Sequence, residues 1–286
     1  MWFQTTEAYW LQHEGSLKGG LLLAAFVICA VWETFRPRRF LAAPTGRRWL
    51  HNAILAFAFN SPLALLLRLN AVMVALAVSN TRHGLLNHQV VPLWLRFLLT
   101  ILLLDIFKYA QHRLYHAVPA LWRIHQVHHS DPDFDWSTSL LFHPGELLLT
   151  EGSYLALIAV LAPPPLAVLG IELAVVVQNT FVHANVDIPR WLDARLRAFL
   201  ITPDMHRIHH SDAFAEQNTN FGTVFPWWDR LFATYVHDPA AGHQKMRIGL
   251  RELSGARSLS VLSMLALPFR RPPRFAASSA PPRERG

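Results

Sequence analysis

His112 and His116 stand four residues apart, and the pattern H-x-x-H-H occurs twice, as His125, His128, His129 and as His206, His209, His210. On an α-helix, residues three and four apart share a face. Each box is therefore expected to present its imidazoles along one helical edge. His183, at the end of an apolar run, brings the candidates to nine. One ion takes three or four such ligands, so nine exceed one site and suit two adjacent metals. The alternative is a polar, hydrogen-bonded helix face. Imidazole serves zinc, copper, iron and nickel alike: two irons with open positions would activate dioxygen, and two zincs would hydrolyse. The single cysteine, Cys29, lies in an apolar stretch, so an internal disulfide and a cysteine-type zinc site are excluded. His13, His51, His83, His88, His237 and His243 read as interfacial polar groups, and His143, in LFHPGE, as a supporting or structural group rather than a ligand.

The elements that must position these histidines are greasy. Hydrophobic residues make up 52% of the 286 and charged residues 16%, against about 25% charged in soluble proteins. Mean hydropathy is +0.22, net charge +7 and pI about 10.2. The arginines flank apolar runs rather than line a polar face, which speaks for a membrane and against nucleic acid. The run from Leu17 to Trp32 is followed by Arg36, Arg38, Arg39, Arg47 and Arg48. That order is the reverse of a cleaved signal peptide and predicts a retained span ending in the cytoplasm. Leu50 to Val78, interrupted by Ser61-Pro62, reads as one span or as a span plus a re-entrant segment. Val91 to Tyr109 reads as another. Glu146 to Val182 reads as a hairpin turning at Pro163–Pro165.

Alternating these segments across a bilayer puts every histidine box on one face, the cytoplasmic one. The expectation is an all-α integral membrane protein with its histidine boxes gathered beyond the ends of the spans on the cytoplasmic side. Residues 1–90 would form an N-terminal transmembrane region, 91–240 the catalytic region and 241–286 a tail, disordered from about 270 by its Pro, Ser, Ala and Arg content.

The surroundings of the boxes resemble the fatty acid hydroxylase/sterol desaturase superfamily of membrane di-iron enzymes. The resemblance rests on Asp105 seven residues before His112, on HRLYHAVPALWRIHQVHH (112–129), FHPGE (142–146), His183-Ala-Asn185 and TPDMHRIHH (202–210), and on the closing NFG (220–222) and WDRLFATY (228–235). It implies about four transmembrane helices and a cytosolic helical cap carrying a histidine-rich dimetal site, with nine histidine ligands and two iron ions. It also implies dioxygen as co-substrate and hydroxylation or desaturation of a lipid C–H bond. Neither a haem-binding motif nor a dinucleotide fingerprint is visible, so electrons would come from a separate electron-transfer protein. Asp187 stands where some members carry a further histidine, and Phe221 and Ala233 replace the usual Tyr and Gly.

A metal-bound histidine usually donates its other N–H to a carboxylate or carbonyl. Asp105, His143, Asn185, Asp187 and Asp229 are the candidates for such support or for an additional ligand; Asp131, Asp212 and Glu146 are further carboxylates nearby. The Ser-Asp after each H-x-x-H-H suits a cap for a local helix or turn. Other readings are a histidine-rich metal-binding or transport protein, which would place ligands near the bilayer midplane, and an inactive homologue with a structural metal. Arginine outnumbers lysine 23 to 3, which points to a GC-rich genome and a bacterial inner membrane.

Overall fold

The computed structural model describes residues 2–67, 70–81, 83–87, 90–253 and 259–270. The expected disordered tail lies almost wholly outside them. Among the described residues there is no β-strand, only two isolated bridges, Pro37 with Val186 and Ser211 with Ile248.

The helices that build the bundle and the site are α1 (Trp2–Gln12), α2 (Glu14–Phe35), α3 (Thr45–Ile54), α4 (Ser61–Leu66), α5 (Ala71–Ser79), α6 (Leu93–Ala117), α7 (Pro119–His125), α8 (Pro144–Leu161), α9 (Pro165–His183), α10 (Arg190–Leu196) and α11 (Pro203–His209), with three shorter ones after them, Phe214–Gln217, Trp227–Leu231 and Val261–Ala266. Prolines set many of their starts. Pro119, Pro144, Pro165 and Pro203 each sit in the first turn, where a missing N–H costs nothing and the fixed φ is already helical. Val118, before Pro119, is forced extended (φ −99, ψ 115). That break ends α6 just after His116 and turns α7 back toward it.

Four helical segments are long and apolar enough to cross a membrane: Glu14–Phe35, Thr45–Ser79, Pro144–Leu161 and Pro165–His183. The second is not a plain rod. A π-helical turn at Leu55–Asn60 joins α3 to α4, and α5 restarts at Asn70, whose side chain caps Met73 N–H at 2.9 Å. Helix α6, also read as a span, is not among the four, because Arg96, Asp105 and Lys108 interrupt its apolar run. Two of the three are satisfied by hydrogen bonds. Arg96 donates to Leu86 O at 2.6 Å, and Asp105 accepts from Val224 N, Phe225 N and Trp228 Nε1.

The proline hairpin forms as expected, with Ala162 in the left-handed region (φ 45) between α8 and α9. The bundle core away from the histidines is built on Val72, Leu104, Tyr154, Ile158, Val168 and Ile171. Helix α2 packs Ala25 and Cys29 inward and leaves Leu23, Val27, Ile28 and Val31 more than half exposed, a surface suited to lipid rather than water.

The ends of these helices converge. Glu33 near the end of α2 accepts from Trp136 N at 2.9 Å and Asn185 N at 2.7 Å. Arg48 in α3, His112 and His116 in the last turns of α6, Glu146 in the first turn of α8 and His183 at the end of α9 all meet at that same end. The loops between them and the segment 200–253 close over it.

Candidate metal centre

The nine histidines separate into two groups. His112, His116, His125, His129 and His209 form one, and His128, His183, His206 and His210 the other; within each, one ligand atom per residue lies within 4.8 Å of all the rest. The boxes are therefore not single edges facing one way. In each H-x-x-H-H one i, i+4 pair stays together, His125 with His129 and His206 with His210. The remaining histidine, His128 or His209, goes to the opposite group. A residue next to another on a helix points about 100° away from it, and the chain tightens to a 3₁₀ turn at His128–Ser130, so three imidazoles cannot face one point.

Outer partners fix the rings. His112 Nδ1 donates to Phe221 O at 2.9 Å, His128 Nδ1 to Leu141 O at 3.0 Å, His183 Nδ1 to Asn179 O at 2.7 Å and His209 Nδ1 to Thr219 O at 2.8 Å. His125 Nδ1 meets Glu146 Oε1 at 2.7 Å. A carbonyl only accepts, so those Nδ1 atoms carry the proton and each Nε2 keeps its lone pair. Burial, and then the neighbouring imidazoles, hold His128, His129, His206, His209 and His210 well below the usual histidine range. These rings are neutral, as metal ligands must be.

The donor set fits two cations. His128 Nε2 and His183 Nε2 face each other at 3.2 Å with both lone pairs pointing inward. This close pair is therefore not a hydrogen bond, and a positive ion between the two nitrogens removes the repulsion. His206 Nε2 lies 3.1 Å from His183 Nε2 and 3.3 Å from His210 Nε2, spacings expected of ligands sharing one ion at about 2.0–2.1 Å. In the five-histidine group the Nε2 atoms of His112, His116, His125, His129 and His209 are buried without a hydrogen-bond partner. A buried polar atom left so costs about 1–3 kcal/mol, and coordination accounts for all five.

The supporting candidates take different places. Asp229 accepts from Phe221 N and Gly222 N, both at 2.8 Å, and from Thr234 Oγ1 at 2.7 Å. Burial raises its carboxyl to about 6, against the pull of those donors. It thus positions the Phe221 carbonyl that holds His112. Asp105 clamps residues 224–228 onto α6 and touches no histidine of the two groups. Asn185 ties the 36–39 loop through Arg39 N (3.1 Å) and Arg39 O (2.8 Å). His143 caps α8, accepting from Gly145 N at 2.9 Å. Asp187 points away: it pairs with Arg36 at 3.5 Å and Arg38 at 3.9 Å, its side chain 40% exposed. The two Ser-Asp pairs cap local turns rather than helices, Asp131 accepting from Asp133 N at 3.3 Å and Ser211 from Ala213 N at 3.2 Å. Asp131 and Asp212 also hold Arg48 and Arg247, each at 2.5 Å.

The sequence named Glu146 only in passing, yet among the described residues it is the one carboxylate bonded to a grouped histidine. Replacing it tests its role directly. Glu146→Gln keeps an acceptor and should weaken metal retention in the five-histidine group about tenfold. Glu146→Leu should approach a hundredfold. Competition with a chelator measures both, and equal retention in all three proteins would contradict the assignment.

The closing motifs serve this shell. Asn220 sits in the left-handed region (φ 53), where asparagine is tolerated, and its side chain bridges Met205 O and Val236 O, each at 3.0 Å. Ala233 adopts φ 55, which costs an L-residue with a Cβ roughly 1–2 kcal/mol and explains why glycine is usual there. Ala233→Gly should raise stability by about 0.5–1 kcal/mol, net of the added chain entropy, read as a higher melting midpoint in detergent.

A fatty acid hydroxylase family model matches residues 97–234. The chain is 28% identical over 193 residues to the ornithine lipid hydroxylase OlsE of Rhizobium tropici, covering 68% of this chain and 56% of that protein. It is 28% identical to the human alkylglycerol monooxygenase over 51% of this chain and 31% of that one. With the mouse cholesterol 25-hydroxylase it shares 31% identity over 53% of this chain and 50% of the relative. It thus spans about a third to just over half of the relatives' length. No solved structure matches it significantly. The class defined by fold and site is a helical, membrane-type protein with a histidine-rich metal centre. Within that class, residues 97–234 match a fatty acid hydroxylase domain, and the relatives it resembles support the same superfamily.

Proposed function

We propose that the protein is a membrane di-iron oxygenase that hydroxylates a lipid, with His112, His116, His125, His129 and His209 holding one iron and His128, His183, His206 and His210 the other. The observation that carries this reading is the two groups of imidazoles turned inward at the end of a cavity of about 450 Å³ that runs into the apolar bundle. Two irons there would supply dioxygen activation, the hard part of the chemistry. One oxygen atom enters a C–H bond; the other leaves as water, taking up two protons and two electrons from a separate donor protein.

This chain's residues do the rest. Phe221 O, Leu141 O, Asn179 O, Thr219 O and Glu146 orient the rings. Tyr115 stacks on His125 at 5.4 Å and bonds Thr150 at 2.8 Å, and Trp122 stands 4.9 Å from His116. Together they wall the site from water. Apolar side chains such as Leu22, Phe57 and Val175 line the approach for a hydrocarbon chain.

In this reading residues 1–90 anchor the catalytic region 91–240, and the histidine end faces the cytoplasm of a bacterial inner membrane, where the electron donor would dock. The test combines metal analysis of the purified protein with lipid profiles of cells with and without it. Two irons per chain and a lipid heavier by one oxygen atom support hydroxylation. One zinc per chain, with lipids unchanged by His128→Ala, would sink it.

A further inference from the structure

Two charged side chains line the cavity without serving the metal centre. Lys108 lies one helical turn before His112 on α6, and Glu151 lies on α8 just beyond Thr150. Lys108 Nζ rests 4.0 Å above the Tyr154 ring. Among the described residues no carboxylate lies within ion-pair distance of Lys108, no cation within that distance of Glu151, and neither makes a hydrogen bond. Yet the charge of Lys108 reaches Glu151.

An ion inside an apolar bundle is costly unless it is paired, and a direct salt bridge between these two would remove most of that cost. The structure holds them apart instead, both facing the same space. Elsewhere in the bundle such a bridge does form: Lys18 pairs with Glu172 at 2.7 Å and Glu14 at 2.9 Å.

The occupant that satisfies both groups carries one anionic and one cationic group of its own. A sterol or a glycerol ether satisfies neither, and a fatty acid would pair with Lys108 but meet Glu151 as a like charge. We propose that this cavity is a headgroup site for a zwitterionic amphiphile, Lys108 taking its anionic group and Glu151 its cationic group. The claim rests on the lipid-hydroxylase reading and narrows its substrate. Four residues of helix separate Lys108 from His112 by roughly 6 Å along the axis.

The test uses the full chain in detergent, loaded with iron. Binding of N-palmitoyl-ornithine, which has a free carboxylate and a free ammonium, is compared with that of a neutral hexadecyl glycerol ether by native mass spectrometry and tryptophan fluorescence. The wild type should prefer the zwitterion. Lys108→Met and Glu151→Gln should each weaken it at least about tenfold, with the neutral ether and the iron content unchanged. Equal binding of the two lipids by the wild type, or wild-type affinity for the zwitterion in both variants, overturns the proposal. So does the outcome in which both variants bind normally but turn over slowly with an altered solvent isotope effect, which would make the pair a proton relay. If the binding preference holds but no lipid is oxidised, the headgroup site stands and the hydroxylase reading falls.

Discussion

Arg48→Met should yield a protein that folds poorly and retains little metal, although Arg48 touches no histidine. Its guanidinium is 1% exposed and holds two carboxylates: Asp131 through Nε (2.5 Å) and Nη2 (2.8 Å), and Asp135 through Nη1 (2.6 Å). Asn52 at 3.3 Å and Thr138 at 3.1 Å complete the shell of Asp131, and Ser137 Oγ donates to Asp135 at 2.6 Å. Removing the cation leaves two buried carboxylates unpaired, a loss of about 3–5 kcal/mol. A typical domain has about 5–15 kcal/mol in total, so the melting midpoint should fall steeply. Asp131 follows His129 and Ser130 directly, so its release frees the loop that aims His128 and His129.

Arg48→Lys keeps the charge but loses the two-pronged geometry and should fall between. Adding Asp131→Asn and Asp135→Asn to Arg48→Met removes both sides of the network and should recover part of the loss, because neutral groups are cheaper to bury. A melting midpoint for Arg48→Met within a degree or two of wild type would show that the network carries no such weight.

This network also marks where sequence reading stops. Arg48 stands among Arg36, Arg38, Arg39 and Arg47, which read together as juxtamembrane charge. Nothing in that run separates the one buried arginine from the rest, because its partners lie more than eighty residues away. The histidines were legible because helix spacing and residue type are local. Their division into two groups was not, since it depends on how the turn at His128–Ser130 rotates one ring away from its neighbours. The outer partners were mostly illegible for a different reason. Four are backbone carbonyls, which every residue supplies, so sequence cannot say that Phe221 or Leu141 is the one in place. Of the carboxylates that residue type and position singled out, Asp229 does support the Phe221 carbonyl, whereas Asp105 and Asp187 have a closing loop and two arginines as partners. The hairpin, the all-helical fold and the interruption at Ser61-Pro62 were readable from apolar runs and prolines; the π turn at Leu55–Asn60 and the restart at Asn70 were not, because they are responses to packing and capping.

The two groups make an unequal prediction about metal loss. A four-ligand ion held by about 10–16 kcal/mol owes roughly 3 kcal/mol to each ligand, over a hundredfold in affinity. His183→Ala would leave the four-histidine group with three ligands, so the protein should come off a column with about one ion instead of two. His209→Ala would leave four in its group, as many as the intact second site has, so both ions should be retained at stoichiometric metal and only one lost to a competing chelator. His183→Ala combined with His209→Ala should show both defects at once, since the ligands belong to different ions. Element analysis across a chelator titration reads these cases apart. If His183→Ala and His209→Ala lost metal identically, or if either single variant lost both ions together, the division into two separately held sites would be wrong and the nine imidazoles would act as one coupled cluster.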